Sequence, residues 1–515
     1  MRVFRGSRLQ RNGYIGKKDW SCAGTEYGAL ESKESDKAVV SIKGLLSDIT
    51  QDHVRTRRSA SLAFDVPSIG TIRCTQVFRA ILGKRIVCLG QAEGDQVIVK
   101  LYFDPQRARI HWRRSDEGSR AFLDRFIASP KILFSGYLVK YDLYAIVFEY
   151  IKDAVRLDKA LADAPSGQDR QQLLDRLLVC LADQHRAGII QADLHMGNFL
   201  VTAEDIYSLD GDQVRTSARP VGKRLSSENL VELFSRLWPV YDTELPKYYR
   251  LYCSKRGYEI TEKDIQKLIG MVKRVRNRHL AKYMRKIFRS QDPFLVRKTH
   301  GCFSVCDLRV WDDGFAAVCR NPENFISEDK NQKMERACSN YVVTDSGPLI
   351  LHSSRTSGKP LLRRCGIIAR RWKNAHRLNR LGIRTPRPIA LIVKRGPDKR
   401  LCSYMIEASC EGTLARDFFA SDTIPNDEKH SAAEHIAKAF FVMKQTGISI
   451  QGMHGGNILI SDLKPIFLNG TELNRVPFAR RFGAEEGVSD FLRGWDDNSD
   501  ILLLFLERFR QLQLM

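Results

Sequence analysis

The chain has 515 residues and a mass of 58.8 kDa, which suggests three or four domains of ordinary size, or two large ones. Apolar residues make up 43% and charged residues 28%, so most of the chain can bury a core and wholesale disorder is excluded. Lys and Arg number 83 against 60 Asp and Glu. The resulting net charge of +23 favours an anionic partner, whether nucleic acid, an acidic membrane surface or a phosphorylated substrate.

The cysteines and the apolar runs indicate the cellular compartment of the protein. Twelve cysteines are scattered without CxxC pairs, which indicates reduced thiols in a cytosolic protein and no zinc site. The basic N-terminal stretch lacks the apolar centre of a secretory signal, and apolar runs such as 501–506 are too short to span a bilayer. We therefore expect a cytoplasmic protein, with peripheral membrane association through basic surface left open.

Taken in chain order, the elements change from strands to helices. Residues 1–70 show little periodicity and many Ser, Lys and Arg, which predicts a poorly ordered N-terminal extension. Apolar runs typical of strands follow, with a polar helix-like stretch between the third and fourth: 77–81, 85–89, 96–103, 106–126 (helix), 132–138 and 144–150. After residue 157 the apolar residues recur at helical spacing. This order predicts an α+β fold with a β-rich lobe followed by a helical lobe.

The stretch 259–289 predicts a basic helix. We interpret it as a solvated connector between two domains, with an anion-facing or membrane-facing surface as the alternative. The predicted division of the chain is an N-terminal extension, a first domain, this connector and a second domain, at residues 1–70, 71–255, 256–295 and 296–515.

An internal repeat is the most informative feature of the sequence. The stretch 188–198 reappears as 447–457 at an offset of 259 residues, and the same offset without a gap places 209–211 on 468–470. Eight of the 24 aligned positions are identical, and they include the histidine, the asparagine and three glycines. We interpret the repeat as two tandem copies of one fold.

The first copy carries the residue types that phosphoryl transfer requires. A carboxylate beside the acceptor hydroxyl, here Asp193, orients that hydroxyl and takes its proton. A side-chain amide five residues later, Asn198, and a second carboxylate, Asp210, are suited to hold Mg²⁺ against the nucleotide phosphates. Because the transition state spreads charge over the phosphoryl oxygens, positioned cations do most of the work.

Residues upstream complete a candidate nucleotide site. Lys100, in a Val-Ile-Val-Lys strand, is the candidate for catalytic pairing with phosphates, and Glu117 is the candidate for orienting that lysine. Gly83 lies where a nucleotide-covering loop is expected, although one glycine stands in place of the three of a GxGxxG loop. Glu149 belongs to a predicted hinge whose backbone groups meet adenine.

From about residue 77 to 215 the chain resembles the protein-kinase-like superfamily. Its QADLHMGNFL loop looks more like those of small-molecule and lipopolysaccharide kinases than those of eukaryotic protein kinases. Eukaryotic protein kinases have HRD and DFG triplets where this chain has QAD at 191–193 and DGD at 210–212, and no APE-type activation segment is evident. The resemblance implies ATP and Mg²⁺ as cofactors.

A second resemblance lies in the second copy. Residues 369–392 are similar to the segment that joins the N-lobe helix to the next strand in bacterial lipopolysaccharide core kinases. This is the group of WaaP-type heptose kinases, Kdo kinases and InaA-like proteins, and the GMHGGNILI loop supports the match. The resemblance implies phosphorylation of an inner-core sugar hydroxyl at the cytoplasmic face of the inner membrane.

The second copy departs from the pattern at its chemical positions. Gly452 stands at the position of Asp193 and Asn469 at that of Asp210. An approximate strand alignment places His352 where Lys100 stands. Without the base and the metal carboxylate, this copy is predicted to be a pseudokinase with a scaffolding, docking or regulatory role.

These patterns together predict a kinase whose first copy is active on a heptose or Kdo hydroxyl of the lipopolysaccharide core. The expected partners are the core glycolipid and the anionic surface of the inner membrane, and no nucleic acid is expected. Two alternatives stay open: a protein Ser/Thr or Tyr kinase, and a non-catalytic scaffold in envelope assembly with both copies degenerate. Nothing in the sequence indicates an oligomeric state.

Overall fold

Helices and strands are mixed along the chain. The computed structural model of the protein describes residues 62–515 except 82, 165, 291–292, 300, 311, 326–337, 345–346, 357–366, 397–399, 451–452, 469–472, 476–482, 496–498, 513 and 515. The described residues belong to one unit of the chain and include two six-stranded antiparallel sheets, each followed by helices. The predicted mixture of helix and strand is therefore confirmed.

The first sheet has the strand order β1-β2-β3-β4-β6-β5. Its strands and the helix α1, which separates β4 from β5, are β1 Leu62–Val66, β2 Gly70–Ile81, β3 Arg85–Ala92, β4 Asp95–Tyr102, α1 Ala108–Leu123, β5 Ile132–Leu138 and β6 Leu143–Glu149. Alternation along β4 buries Val97, Val99 and Leu101 in one core and turns Lys100 to the opposite face of the sheet.

The sheet starts earlier than the sequence predicts. Strand β1 pairs with β2 from Leu62 opposite Cys74 to Val66 opposite Gly70, inside the segment 1–70 that was predicted as an extension. The alternation of buried Leu62, Phe64 and Val66 with exposed residues explains the strand, because its inner face completes the first core. The rest of the predicted extension, 1–61, lies outside the described residues.

A helical region follows the first sheet. Its elements are β7 Val155–Arg156, α2 Leu157–Asp163, α3 Gly167–Arg186, β8 Ile189–Gln191, β9 Phe199–Val201, β10 Ile206–Ser208, β11 Val214–Thr216, α4 Lys223–Phe234, α5 Leu245–Arg256 and α6 Glu262–Lys286. Reciprocal side-chain and backbone hydrogen bonds between Ser166 and Asp169 begin α3, and Thr261 and Asp264 begin α6 in the same way. Within the described ranges, no helix is both long and apolar enough to cross a membrane.

The basic helix α6 is more than a solvated connector. Ile265, Leu268 and Val272 belong to the core of the preceding helices. The other end of the helix packs Tyr283 and Met284 against the core that surrounds the buried Trp372. One apolar face of α6 therefore contacts two cores.

The second sheet has the order β12-β13-β16-β17-β15-β14. Its elements are β12 Phe294–Thr299, β13 Cys302–Asp307, α7 Asp313–Arg320, β14 Cys338–Thr344, β15 Gly347–Thr356, α8 Ile367–Arg380, β16 Pro388–Arg395 and β17 Leu401–Ala408. The elements that follow it are β18 Thr413–Leu414, α9 Ala415–Ala420, α10 Asn426–Thr446, β19 Ile448–Ile450, β20 Ile458–Ser461, β21 Lys464–Phe467, β22 Leu473–Arg475, α11 Gly483–Arg493 and α12 Ser499–Gln511.

The element order repeats at the offset that the sequence repeat has. Strands β19 and β22 begin and end 259 residues after β8 and β11, and each pair of strands is antiparallel. Helix α10 begins 259 residues after α3. The four strands β3-β4-β6-β5 likewise have the order of β14-β15-β17-β16. The two sheets differ in the position of their two additional strands. In the first sheet β1 and β2 lie at the β3 edge, whereas in the second β12 and β13 lie at the β16 edge.

Strand register places His352 at the position of Lys100. Lys100 on β4 lies opposite Ile146 on β6. His352 on β15 lies opposite Met405 on β17, and Met405 is 259 residues after Ile146. The pairing therefore supports the approximate alignment made from the sequence.

Candidate active site

The loop from Gln191 to Asn198 is built between two short strands. Strand β8 pairs with β11, so that Val214 lies opposite Gln191, and the amide of Ala192 donates to the carbonyl of Gln213 at 2.9 Å. A 3-10 turn over Met196–Asn198 then leads directly into β9. Both ends of the loop are thus anchored by backbone hydrogen bonds, which limits where Asp193 can lie.

Asn198 closes this loop from within. The side chain is 8% exposed, and its Nδ2 donates to the carbonyl oxygen of Asp193 at 2.8 Å. The carbonyl of Asn198 accepts from the amide of Leu209 at 2.8 Å. Asn198 therefore links the segment of Asp193 to the turn that carries Asp210.

Asp210 begins that turn in a left-handed conformation, with φ 62° and ψ 78°. A non-glycine residue with positive φ is uncommon and is often found where a side chain must point in one direction. Its Oδ1 lies 3.4 Å from Nζ of Lys100, which itself lies 5.4 Å from the ring centroid of Phe148. Burial acts to raise the pKa of Asp210, but the charges of Lys100 and Arg85 outweigh it and hold the pKa below its usual range.

The predicted residues are therefore brought together on one side of the first sheet. The ion pair of Lys100 with Asp210 joins the sheet to the turn, and Asn198 joins the turn to Asp193. Side-chain and backbone hydrogen bonds thus connect four residues that lie up to 110 positions apart in sequence.

Asp193 is open to solvent and has two basic neighbours. Its side chain is 50% exposed, its Oδ1 lies 3.4 Å from a guanidinium nitrogen of Arg236, and its Oδ2 lies 4.0 Å from Nε2 of His195. Burial lowers the pKa of His195, so the ring is neutral near pH 7. Arg236 lies two residues after the end of α4, and no sequence pattern predicted its place in the site.

Glu117 does not orient Lys100, contrary to the sequence prediction. It lies on the exposed face of α1, where its carboxylate pairs with Arg113 at 2.6 Å. The neighbouring Asp116 pairs with Arg120 at 3.0 Å on the same helix. Helical spacing turns Ser115 towards the site in place of these acids.

The inner face of α1 instead carries a glycine contact. A Cβ at Gly118 would overlap the carbonyl oxygen of Gly211, and a Cβ at Gly211 would meet the backbone of Ser115 and Ser119. The Asp-Gly-Asp turn thus lies directly on the helix backbone. A glycine inside a predicted helix is a sequence signal for such an approach.

Gly83 forms part of a tight hairpin turn. It has φ 65° between β2 and β3, and the amide of Lys84 donates to the carbonyl of Ile81 at 3.0 Å. Leu82 lies outside the described residues. Arg85, the first residue of β3, forms an ion pair with Asp212 of the Asp-Gly-Asp turn. The tip of the hairpin is therefore tied to the site by an arginine that the sequence did not indicate.

Glu149 ends β6 and takes part in a backbone pairing. Its amide donates to the carbonyl of Lys131 at 3.0 Å, and its Oε1 accepts from the amide of Lys131 at 2.8 Å. The carboxylate thus holds the end of β6 against the residue that precedes β5, which leaves the predicted contact with adenine to the backbone.

A buried set of hydrogen-bonded side chains supports the loop that carries Asp193. His185 is 1% exposed, with Nδ1 2.6 Å from the hydroxyl of Tyr252 and Nε2 3.0 Å from Oδ1 of Asn229. Nδ2 of Asn229 donates to the carbonyl of Gln191 at 2.8 Å. Burial lowers the pKa of His185 to about 4, so the neutral ring serves as a structural link.

The second half has a different set of contacts at the matching positions. His352 Nε2 lies 2.7 Å from Oε1 of Glu407, and that oxygen also lies 2.9 Å from a guanidinium nitrogen of Arg371 on α8. In the loop, Nδ2 of Asn457 lies 2.8 Å from Nε2 of His454. Gly452 and Asn469 lie outside the described residues. Their alignment with Asp193 and Asp210 therefore stays a prediction from the sequence.

The described part of the chain has few clustered metal ligands. No group of three or more His, Cys, Asp or Glu side chains is placed there to hold a metal ion. Mg²⁺ commonly takes only one or two carboxylates, with water and phosphate oxygens as its other ligands. The pair of Asp210 and Asn198 fits this pattern, because Asp210 is ionised and the amide oxygen of Asn198 is not needed for the bond to Asp193.

Comparison with known proteins gives a weak likeness to a protein kinase domain. No profile of a known family and no curated protein matches the chain. Crystal structures of the PknI kinase domain from Mycobacterium tuberculosis are similar to it at low level. One has 12% identity, a TM-score of 0.26 and coverage of 39% of this chain and 94% of that chain. Another has 15% identity, a TM-score of 0.24 and coverage of 33% and 75%.

Replacing Gly118 by alanine should lower the free energy of unfolding by about 1–3 kcal/mol, because the new Cβ would overlap the carbonyl of Gly211. Gly270→Ala is the matched control, since Gly270 also lies in a helix but has no atom within 4 Å of its Cβ position. That control should be stabilising by up to about 1 kcal/mol. Urea-induced unfolding followed by circular dichroism measures both, and equal effects of the two substitutions would contradict the close approach.

Proposed function

We propose that this chain is an ATP-dependent kinase that phosphorylates a sugar hydroxyl, of heptose or Kdo, in the lipopolysaccharide inner core. The observation that carries the proposal is the contact between Lys100 and Asp210, 3.4 Å apart, beside the loop of Asp193 and Asn198. This combination of cation, metal-binding carboxylate, amide and open carboxylate is what phosphoryl transfer to a hydroxyl requires. The choice of acceptor rests on the sequence resemblance to lipopolysaccharide core kinases.

The site residues divide the chemistry among them. When bound, ATP supplies the phosphoryl group and Mg²⁺ neutralises the charge on its oxygens. Lys100 binds nucleotide phosphates, because β4 fixes its stem and its ammonium emerges beside Asp210. Asp210 and Asn198 are the residues that would hold the metal ion.

Asp193 orients the acceptor and receives its proton. Its side chain is 50% exposed, so a sugar hydroxyl can approach the carboxylate from solvent. Arg236 contacts one of its oxygens, and His195 is near the other. Of the two neighbours only Arg236 is charged near pH 7, because burial lowers the pKa of His195.

The second half is proposed to be a pseudokinase. At the position of the phosphate-binding lysine it has His352, whose partner Glu407 is also paired with Arg371. Glu407 is 2% exposed, so this carboxylate already has two partners and is removed from solvent. A repeated element order with these changed contacts fits a copy of the fold that holds or regulates the first half.

A basic stripe on α6 is the proposed membrane contact. The five cations of the stripe lie on the helix face opposite the buried Ile265 and Val272, and no carboxylate among the described residues pairs with them: Lys263, Lys267, Arg274, Arg278 and Arg285. At 1.5 Å per residue the stripe is about 33 Å long. A straight row of cations suits an anionic bilayer surface, to which each contributes about 1 kcal/mol.

Asp193→Ala should lower the turnover of the full-length protein with lipopolysaccharide core acceptor by at least about a hundredfold, because the proton acceptor is lost. Mg²⁺-ATP affinity should change little, since Lys100 and Asp210 remain. Asp163→Ala, at the exposed end of α2, is the matched control and should keep wild-type turnover. Transfer of radiolabelled phosphate from ATP provides the measurement.

The outcomes of this assay separate the candidate functions. Wild-type turnover in Asp193→Ala would contradict the site. Phosphate incorporation into protein in place of the glycolipid would contradict the sugar acceptor and favour a protein kinase. No ATP turnover by the wild type with any acceptor would favour a non-catalytic scaffold.

Reversing four charges of the stripe (K263E/K267E/R274E/R278E) should weaken binding to phosphatidylcholine vesicles that contain phosphatidylglycerol by at least about tenfold. The control reverses four exposed cations elsewhere, Arg107, Arg109, Arg114 and Lys159, and should retain most of the binding. Vesicle co-sedimentation at two salt concentrations measures the effect, which added salt should reduce. Equal loss of vesicle binding in both variants would show that the vesicles attract the positive charge of the protein in general, and would contradict the stripe as the membrane contact.

A further inference from the structure

The segment that holds Arg236 against Asp193 is fixed from several sides. Oγ of Ser235 lies 3.2 Å from Nδ1 of His279 on α6, and Nε2 of His279 lies 3.2 Å from Glu232. Arg276, also on α6, forms a buried ion pair with Asp242 at 2.7 Å and reaches the carbonyl that ends α4 at 3.4 Å. The position of Arg236 is therefore set by the fold, which is the requirement for a preorganised binding group.

The second half of the chain reaches the same segment. Trp238, two residues after Arg236, lies so close to Gly382 that a Cβ there would be 2.7 Å from its ring. Gly382 has φ 81°, and it follows two residues after Arg380, the last residue of α8. This contact brings the end of α8 next to the acceptor side of the first half.

Arg380 adds a second guanidinium there. Its guanidinium lies 5.6 Å from the ring centroid of Tyr283, and it has no carboxylate partner among the described residues. Burial and the positive charge of Arg236 lower the pKa of Arg380, which agrees with two like charges placed near each other. Among the described residues Arg236 has one carboxylate partner, the exposed Asp193, and Arg380 has none, so cationic charge is left without a partner.

The local balance of charge favours an anion. His279 is neutral near pH 7, because burial and the charge of Arg236 lower its pKa. The acids near this region include Asp193, Glu232 and Asp307, and the cations include Arg236, Arg380, Lys282 and Arg309. Asp307 is already paired with Arg309 and Arg387. The Nε of Arg236 is buried without a hydrogen-bond partner in the described structure. A donor of this kind is costly to leave unpaired.

We propose that Arg236 and Arg380 form a subsite for a phosphate group on the acceptor, so that the second half of the chain contributes to substrate binding in the first. The subsite lies beside Asp193, and an acceptor bound by its phosphate would present a hydroxyl to that carboxylate. Guanidinium groups suit tetrahedral oxyanions, because each offers several donors in a fixed plane. The proposal deepens the proposed function and rests on it for the role of Asp193.

Inorganic phosphate is the probe, titrated into the full-length protein without nucleotide at constant ionic strength and followed by calorimetry. Arg236→Gln and Arg380→Gln should each weaken phosphate binding by about tenfold or more, because each removes a charge-assisted contact. Arg236→Lys and Arg380→Lys should restore part of the affinity. Arg224→Gln is the matched control, since Arg224 lies exposed on α4 in an ion pair with Glu228, and it should bind as the wild type does.

The dependence on Arg380 distinguishes this subsite from phosphate binding beside Lys100, which belongs to the first sheet. Unchanged phosphate affinity in Arg380→Gln, no phosphate binding to the wild type, or acetate binding as tight as phosphate would each overturn the proposal. Because phosphate binding is measured without turnover, an inactive protein that shows the expected losses would contradict the proposed function and leave the subsite standing.

Discussion

The close approach of Gly118 to Gly211 is the constraint on which the candidate site depends. It sets the Asp-Gly-Asp turn against the backbone of α1, and α1 packs on the first sheet. Since Lys100 belongs to that sheet and Asp210 to that turn, the glycine contact determines how near the two charges lie. A side chain at either glycine position would push α1 and the turn apart. The 3.4 Å contact between Lys100 and Asp210 depends on the spacing of α1 and the turn.

Charge is distributed differently in the two halves. In the first, the lysine on β4 faces a carboxylate of the turn, and Arg85 ties the hairpin tip to the same turn. In the second, the matching strand carries His352, and Glu407 gathers both this histidine and Arg371. The first arrangement leaves the carboxylate of Asp193 exposed beside Asp210 and Asn198, the residues proposed to hold a metal ion, whereas in the second His352, Glu407 and Arg371 pair with one another. The proposed division into an active and a supporting half follows from this difference.

The strands and the residues of the Asp193 motif could be predicted from the sequence better than the contacts between elements. Strands β5 and β6 fall within one residue of the predicted ranges, because short apolar runs specify them locally. Glu117 was placed in the site by its distance along the chain from Lys100, but helical spacing turns it outward. Arg236 could not be found in this way, because its position results from packing against α6 and the second half. Such contacts leave no periodic signal in the sequence.

We propose that one half of the chain binds nucleotide through Lys100 and Asp210 while the other half does not. Equilibrium binding of Mg²⁺-ATP to the full-length protein, with its stoichiometry, is the decisive measurement. We expect one nucleotide per chain, lost in Asp210→Asn and retained in Glu407→Gln. Two nucleotides per chain, or one that persists in Asp210→Asn, would contradict it.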